Sequence, residues 1–493
     1  MRYTFAINSL SEGGTWIYTT QGMKTTNGSL SYHFVGLGGS GMSALAQVLR
    51  ARGHRVSGSD RSLDKGLNAA TFQKLSQLGI SCHPQNGSGL ENGVDIAVVS
   101  SAIEESNPDI KTARERGIPI VNRAALLAVL FNDLRGVAVA GTNGKTTVTG
   151  MVGWILDTTG IDPTVTAGGI MKNYVEAPGL GNVRLGHSDV CVIEADESDG
   201  SLIYYRPKVG VITNITKDHK PIDELLKLFS TYVASCSKLA VNSDCPLVGR
   251  IKPLPVETVT FGFNRGALIT ATGIDTDSRE LCSSFKVSGV PFELNLPGRH
   301  NVMNALAAIS TAHLLDIPLE VSAEALRDFR GIKRRLDVIG ETRGIKVIDD
   351  FAHNPVKIRT SIESVRPISR RILAIYQPHG YRPTRFLREE LVQTFSESLC
   401  ADDALYMPEI FYAGGTAKKD ISSKEIIDSI SANGIRAHFV PARWEIAGHI
   451  LSEAVPGDVV LVMGARDDTL TDFCLDILNS LKEENTRTGV VSR

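Results

Sequence analysis

Cysteine is scarce and scattered in this 493-residue chain. The seven residues (Cys82, Cys191, Cys236, Cys245, Cys282, Cys400 and Cys474) are odd in number and nowhere spaced as CxxC. That excludes a disulfide framework and offers no zinc knuckle. Long apolar runs are missing too: none approaches the roughly 20 residues that span a bilayer, and the opening MRYTFAINSLSEGGTWIYTT has no apolar core of a signal peptide. Neither sign of charge is in excess. Lys+Arg number 52 against Asp+Glu 54, a net charge of −2, so there is no global basic footprint for nucleic acid or an anionic membrane. These absences predict a cytoplasmic protein with neither nucleic acid nor membrane as partner.

What is present is ordinary globular material, 42 % hydrophobic and 22 % charged. At roughly 100–200 residues per domain, the length predicts about three domains. Residues 1–31 read as a polar, loosely ordered extension. From Tyr32 onward strands alternate with helices: HFVGLGG, RVSGSD and VDIAVVSSA are strands, SGMSALAQVLRARGH and TFQKLSQLG helices. Such alternation predicts a parallel sheet covered on both faces. A second series opens at GVAVAG and continues through the helix KTTVTGMVGWILDTTG and the strands DVCVIEAD and KVGVITNI. From Thr258 to Pro297 short β-like pieces (ETVTFGF, ALITATGI, SSFKVSG, PFELNLPG) predict a small antiparallel portion. A third series carries the strands GIKVIDDFA, RRILAIYQP, DDALYMPEI, IRAHFVP and GDVVLVMG. The expected fold is α/β in three consecutive domains: a Rossmann-like domain over 32–133, a P-loop ATPase-type domain over 134–321 and a second Rossmann-like domain over 322–493.

Two glycine loops carry chemistry. Gly36-Leu37-Gly38-Gly39-Ser40-Gly41 matches GxGxxG between strand and helix, with Asp60 ending the next strand. Such a loop lets a pyrophosphate rest on helix N–H groups that lack an intrahelical partner. The motif alone leaves NAD(P), FAD and a UDP-sugar open, and a tight packing turn as well. Gly141-Thr142-Asn143-Gly144-Lys145-Thr146-Thr147 follows GVAVAG as a shortened P-loop. Its backbone would cradle ATP phosphates, with Lys145 on the β/γ-phosphates and the Thr146 hydroxyl on Mg²⁺. Glu194, within EADESD, and Asp218-His219 end two further strands at the same sheet edge. A carboxylate and an imidazole there could ligate a second Mg²⁺. Solvated turns with incidental charge are the alternative for both.

Taken together, the two glycine loops, GTNGKTT, EADESD, DH, LPGRHNVMNALAA, FRGIKRR and DDFAHNP resemble the Mur ligase family in order and approximate spacing, from about His33 to about Gly464. HFVGLGGSGMSALA, SSAIEESNPDI, NVRLG and YQPHGY are most similar to the branch that joins L-alanine to UDP-N-acetylmuramate with ATP, through an acyl phosphate, in peptidoglycan precursor synthesis. FRGIKRRLDVIG and DDFAHNP also resemble the members that add a murein tripeptide to the same sugar. The resemblance implies that the first loop (Gly36, Gly38, Gly39, Gly41), with Asp60 and Ser100, holds the UDP-sugar. It implies ATP and Mg²⁺ at Lys145 and Thr146, a second Mg²⁺ at Glu194 and His219, and adenine at Asn301 or Asn304. Arg335 and Asp350 would serve the phosphates and ribose. His353 would lie near the transferring phosphoryl group, and Tyr381, Arg382 and Arg385 near the amino acid. Monomer or homodimer is expected. The carbamylated lysine of other branches would fall near Val233, about fourteen residues past His219, and is missing here as in the alanine-adding branch. Five positions depart from that branch: Asn143 and Asn354 stand where histidine is usual, Gly380 and Pro383 where arginine is usual, and Arg466 where a small residue is usual. An NAD-dependent oxidoreductase and a non-catalytic nucleotide sensor are the remaining readings.

Overall fold

A computed structural model describes residues 4–8, 15–19, 29–91, 93–216, 220–255, 257–276, 281–412, 418–467 and 469–489. The chain divides into two compact units, one built mainly from residues up to 272 with 303–330, the other mainly from 331 onward with 273–286 and 291–302.

The first unit begins with a hairpin in the segment read as loose extension: β1 (Thr4–Asn8) pairs antiparallel with β2 (Thr15–Thr19). TFAIN and TWIYT are rich in aromatic and β-branched residues, which outweighs the polar composition of the stretch. The N-terminal sheet follows, from β3 (Ser31–Val35), β4 (Arg55–Ser59), β5 (Ser81–His83), β6 (Ile96–Val99) and β7 (Ile120–Asn122), in the order β5-β4-β3-β6-β7 and parallel throughout. Order reverses at β3, which puts a crevice at the carboxyl ends of β3 and β6. The helix Ser40–Ala51 buries Met42, Leu45, Ala46 and Leu49 against this sheet, while Ala44 and Val48 pack against Val183 on its other side.

The central sheet contains β8 (Arg135–Ala140), β9 (Thr164–Thr166), β10 (Val183–Arg184), β11 (Val190–Glu194), β12 (Val209–Ile212), β13 (Lys238–Asn242), β14 (Glu257–Gly262) and β15 (Ile269–Asp275), in the order β10-β9-β11-β8-β12-β13-β14-β15. β8, β11 and β12 are parallel, buried apolar runs; β9 joins β11 in parallel, and β10 runs antiparallel to β9. One expectation is corrected here: ETVTFGF pairs parallel with β13, and ALITATGI parallel with β14, so both extend the main sheet rather than opening the antiparallel portion. The alternating exposure of ETVTFGF imitates an antiparallel strand because one face of β14 meets solvent. A continuous apolar core joins Phe34 of the first sheet and Leu45 and Phe131 of its helices to Ile193 of the second and Phe229 and Tyr232 of the helix Ile222–Ser235. The Phe131 and Tyr205 rings meet edge to face at 5.8 Å. The helix Leu319–Arg327 belongs to this unit, and Trp154 Nε1 donates to the Ala325 carbonyl at 2.9 Å. The break expected after 321 therefore moves beyond 330.

In the second unit β16 (Ser283–Val287) and β17 (Val290–Leu294) stack Phe285 on Phe292 with ring centroids 5.3 Å apart. Its main sheet has β18 (Asp337–Thr342), β19 (Ile345–Asp350), β20 (Arg371–Gln377), β21 (Ala404–Met407), β22 (Ala437–Phe439) and β23 (Asp458–Gly464), in the order β18-β19-β23-β20-β21-β22. β18 runs antiparallel to β19 and the rest are parallel. Separate apolar clusters cover its two faces, one around Ile348, Ile358 and Phe395, the other around Val347, Ile446 and Ile477.

Candidate active site

The first glycine loop turns sharply because Gly36 sits at φ +87°, open to glycine, while Gly36 and Leu37 both donate to the Ser59 carbonyl at 2.9 Å. Gly39 caps the helix Ser40–Ala51 without a side-chain bond, which leaves the N–H groups of Ser40, Gly41 and Met42 without intrahelical acceptors. Asp60 is committed to backbone: one carboxylate oxygen accepts from Gly38 N, the other from Ser62 N, both at 2.8 Å. It shapes the loop instead of reaching for a ribose, as the oxidoreductase reading would require. Ser100 follows β6 directly, and Ile103 of the same turn reaches to 3.0 Å from where a Cβ of Gly36 would lie.

The second loop has Gly141 at φ +132° and Gly144 at φ +87°, with Lys145 opening the helix Lys145–Thr158. The segment after β12 laces it in place. Thr142 N donates to the Asn214 carbonyl at 2.9 Å, Asn143 N to Asn214 Oδ1 at 3.0 Å, and Thr213 Oγ1 to the Asn143 carbonyl at 2.6 Å. Asn143 Nδ2 reaches Thr216 Oγ1 at 3.4 Å. Thr213, Asn214 and Thr216 were not singled out by sequence; their only signal is a polar TNIT run straight after a buried strand.

Lys145 Nζ donates to the Gly141 carbonyl and to Glu197 Oε2, each at 2.7 Å, with Asp196 Oδ1 at 3.7 Å. Burial alone would lower the ammonium's pKa; Glu197 and Asp196 outweigh it and hold Lys145 above the ordinary lysine range. Thr146 Oγ1 donates to Glu194 Oε2 at 3.2 Å, and the other oxygen of Glu194 accepts from Gly168 N. A hydroxyl and a carboxylate side by side, next to a phosphate-binding loop, fit Mg²⁺, which takes few protein oxygens and keeps waters and phosphate for the rest. No cluster of three or more His, Cys, Asp or Glu occurs among the described residues. Asp218 and His219 lie outside them. Val233 is buried in the helix Ile222–Ser235.

Asn301 and Asn304 share the helix Arg299–Leu314 but diverge. Asn301 Nδ2 turns back to the Pro297 carbonyl at 2.8 Å, while the Asn304 carboxamide lies where a Cβ on Gly144 would fall. Asn304 is thus the one of the pair beside the P-loop.

In the second unit the guanidinium groups of Arg334 and Arg335 lie 5.1 and 4.9 Å from the centre of the Phe351 ring. Asp350 Oδ2 accepts from Leu336 N at 2.8 Å; burial pushes its carboxyl up to about 6 against the opposing pull of Arg335. His353 is held neutral by burial, then by Lys357, far below the usual histidine range. Its Nδ1 lies 2.9 Å from the Phe351 carbonyl, an acceptor, so Nδ1 carries the proton and Nε2 the lone pair. His379 stands 5.7 Å from it, ring to ring, and burial, with Arg466 nearby, lowers it to about 4. Asn354 caps the helix Pro355–Val365 through Lys357 N at 3.0 Å, a duty asparagine performs well. Tyr381 is buried against Tyr412, Arg382 is exposed, and Arg385 is ion-paired with Asp420.

No helix among the described residues is long and apolar enough to cross a membrane. Three family models match in order: Mur ligase family, catalytic domain over 31–135; Mur ligase middle domain over 139–312; and Mur ligase, glutamate ligase domain over 334–466. A UDP-N-acetylmuramate–L-alanine ligase of Pelotomaculum thermopropionicum is 34 % identical over 92 % of this chain and 97 % of its own length. The Sorangium cellulosum protein of the same name is 36 % identical over 88 % of this chain and 93 % of its own. Among solved structures, a UDP-N-acetylmuramate–alanine ligase from Thermotoga maritima superposes with a TM-score of 0.75 at 27 % identity, covering 93 % of this chain and all of that one. A murein peptide ligase from Psychrobacter arcticus reaches 0.67 at 25 %, covering 92 % and 99 %. With matches spanning nearly its whole length, on a chain that carries both glycine loops, the protein belongs to the Mur ligase family.

Proposed function

We propose that this ATP-dependent, amide-forming ligase joins L-alanine to the lactyl carboxylate of UDP-N-acetylmuramate in the cytoplasm. The observation that carries the reading is the P-loop, with Lys145 and the Thr146–Glu194 pair, on a chain matched almost end to end by alanine-adding relatives. The Thermotoga alanine ligase also superposes more closely than the murein peptide ligase.

A carboxylate does not react with an amine at neutral pH, because oxide would have to leave. In the proposed reaction a carboxylate oxygen attacks the γ-phosphorus, ADP departs, and the resulting acyl phosphate has phosphate as its leaving group. The amine nitrogen then attacks the acyl carbon, phosphate is expelled and the nitrogen loses a proton. Such phosphoryl transfer needs placement and charge neutralisation, with no protein nucleophile.

The P-loop amides and Lys145 would hold the β/γ-phosphates, Lys145 exchanging Glu197 and the Gly141 carbonyl for phosphate oxygens. Thr146 and Glu194, with His219, would hold Mg²⁺, which supplies charge neutralisation between phosphate and carboxylate. Asn304 would face the nucleotide base. The 36–41 loop, with Ser100, would seat the UDP-sugar. His353, neutral with its lone pair on Nε2, is suited to taking the amine proton, and the segment bearing Tyr381, Arg382 and Arg385 would receive the amino acid. Phosphate release with ATP, Mg²⁺ and UDP-N-acetylmuramate, screened against L-Ala, L-Ser, Gly and the murein tripeptide, tests the reading. Turnover should be greatest with L-Ala; preference for the tripeptide would reassign the amine, and silence with every amine would end the ligase reading.

A further inference from the structure

Arg123 opens the helix Arg123–Phe131 in the N-terminal sheet, far along the chain from the first glycine loop. Its side chain is only 20 % exposed, yet this guanidinium, with five N–H donors, makes no hydrogen bond among the described residues. Its one ion pair among the described residues is loose, with Nη2 3.8 Å from Asp199 Oδ2, and the Asp196 carboxylate also feels its charge. The group lies against Gly41: a Cβ there would meet Nη1 at 3.1 Å and the central carbon at 3.3 Å. Gly41 is the last glycine of the first motif and the second residue of the helix Ser40–Ala51, whose first three N–H groups have no intrahelical acceptor. A planar fork of donors therefore stands beside a row of unpaired amides, and only glycine at 41 lets it come so close. Asp199 keeps its other oxygen on Ser201 N at 2.9 Å, so it has its own structural task and holds Arg123 weakly.

We propose that Arg123 grips the diphosphate of the sugar nucleotide, leaving Asp199 as it does so. This rests on the reading of the 36–41 loop as the sugar-nucleotide site. An arginine fork suits phosphate oxygens because two parallel N–H bonds can be made at once, and charge-assisted bonds of this kind are the stronger ones.

Calorimetric titration of the full-length protein with UDP, UDP-N-acetylglucosamine and UDP-N-acetylmuramate tests the assignment. Arg123→Ala should weaken all three by roughly 10- to 100-fold, while the affinity for a non-hydrolysable ATP analogue stays at the wild-type value. Arg123→Lys should recover part of the loss and millimolar guanidinium ion should recover part of it in Arg123→Ala, neither of which a folding defect would allow. Asp199→Asn removes the competing charge, keeps the oxygen for Ser201 N and should tighten UDP binding. Equal UDP affinity in wild type and Arg123→Ala would overturn the proposal. A loss confined to UDP-N-acetylmuramate would move Arg123 to the lactyl carboxylate and overturn the diphosphate assignment. Failure of the wild type to bind any of the three would instead overturn the site reading, and this proposal with it.

Discussion

Replacing Lys145 by methionine keeps the aliphatic stem and removes the charge. Glu197, with a side chain only 6 % exposed, then loses the ammonium 2.7 Å away. Removing one partner of a buried ion pair costs about 3–5 kcal/mol; because Lys145 itself is 14 % exposed, the lower end, about 3 kcal/mol, is the appropriate expectation. The abandoned carboxylate has one escape, which is to take up a proton. In the variant its folded-state pKa stands above the unfolded value near 4.3, so the folded state holds the extra proton and stability falls as pH rises through that interval. Urea unfolding followed by tryptophan fluorescence should therefore show a small loss at pH 5.5 and nearly the full loss at pH 8. The double variant Lys145→Met/Glu197→Gln should regain most of the stability at pH 8, yet phosphate release should be absent in both. A loss that is equal at the two pH values, or a double variant no more stable than Lys145→Met, would refute the buried-charge argument.

Three further outcomes follow from the same geometry. Gly144→Ala forces a methyl onto the Asn304 carboxamide at a φ of +87°, so binding of an ATP analogue should fall roughly 5- to 30-fold by calorimetry if the loop escapes the roughly 1–2 kcal/mol cost of a left-handed alanine by leaving its binding geometry. Asp350, raised by burial to about 6, is ionised at neutral pH only at a cost. Its folded pKa exceeds the unfolded one by about 2 units, so it takes away up to about 3 kcal/mol as pH rises from 4 to 7; in urea, Asp350→Asn should flatten that decline. Asn354→Ala should cost about 1 kcal/mol as a lost helix cap, and Asn354→Asp should restore it.

The strands that carry the site were legible because each is a buried apolar run ending in glycine or acid: β3 before Gly36, β8 before Gly141, β11 ending at Glu194. The short strands β5 and β9, three residues each, have no periodicity to read, and β14 and β15 mislead because their exposure alternates while their pairing is parallel. Spacing placed Glu194 and Glu197 in one acidic run but could not divide their labour. A turn after β11 decides that, leaving Glu194 with Thr146 and sending Glu197 back to Lys145.

The departures from the alanine-adding pattern also take on a physical meaning once folded. Asn354 spends its side chain on a helix cap that a histidine would fill poorly, and Asn143 spends its amide on Thr216. Asn354 thus serves the backbone beside His353, Asn143 makes a side-chain bond beside Lys145, and neither removes a group the proposed chemistry uses. Gly380 is different. At φ +71° it starts the helix Tyr381–Phe386, where an arginine would be strained, so the turn that presents Arg382 was redrawn together with its charges. On the proposed reading this turn receives the amine, so a Gly380→Arg/Pro383→Arg pair should change the ranking of L-Ala, L-Ser and Gly in phosphate release, and an unchanged ranking would show that the turn does not set it.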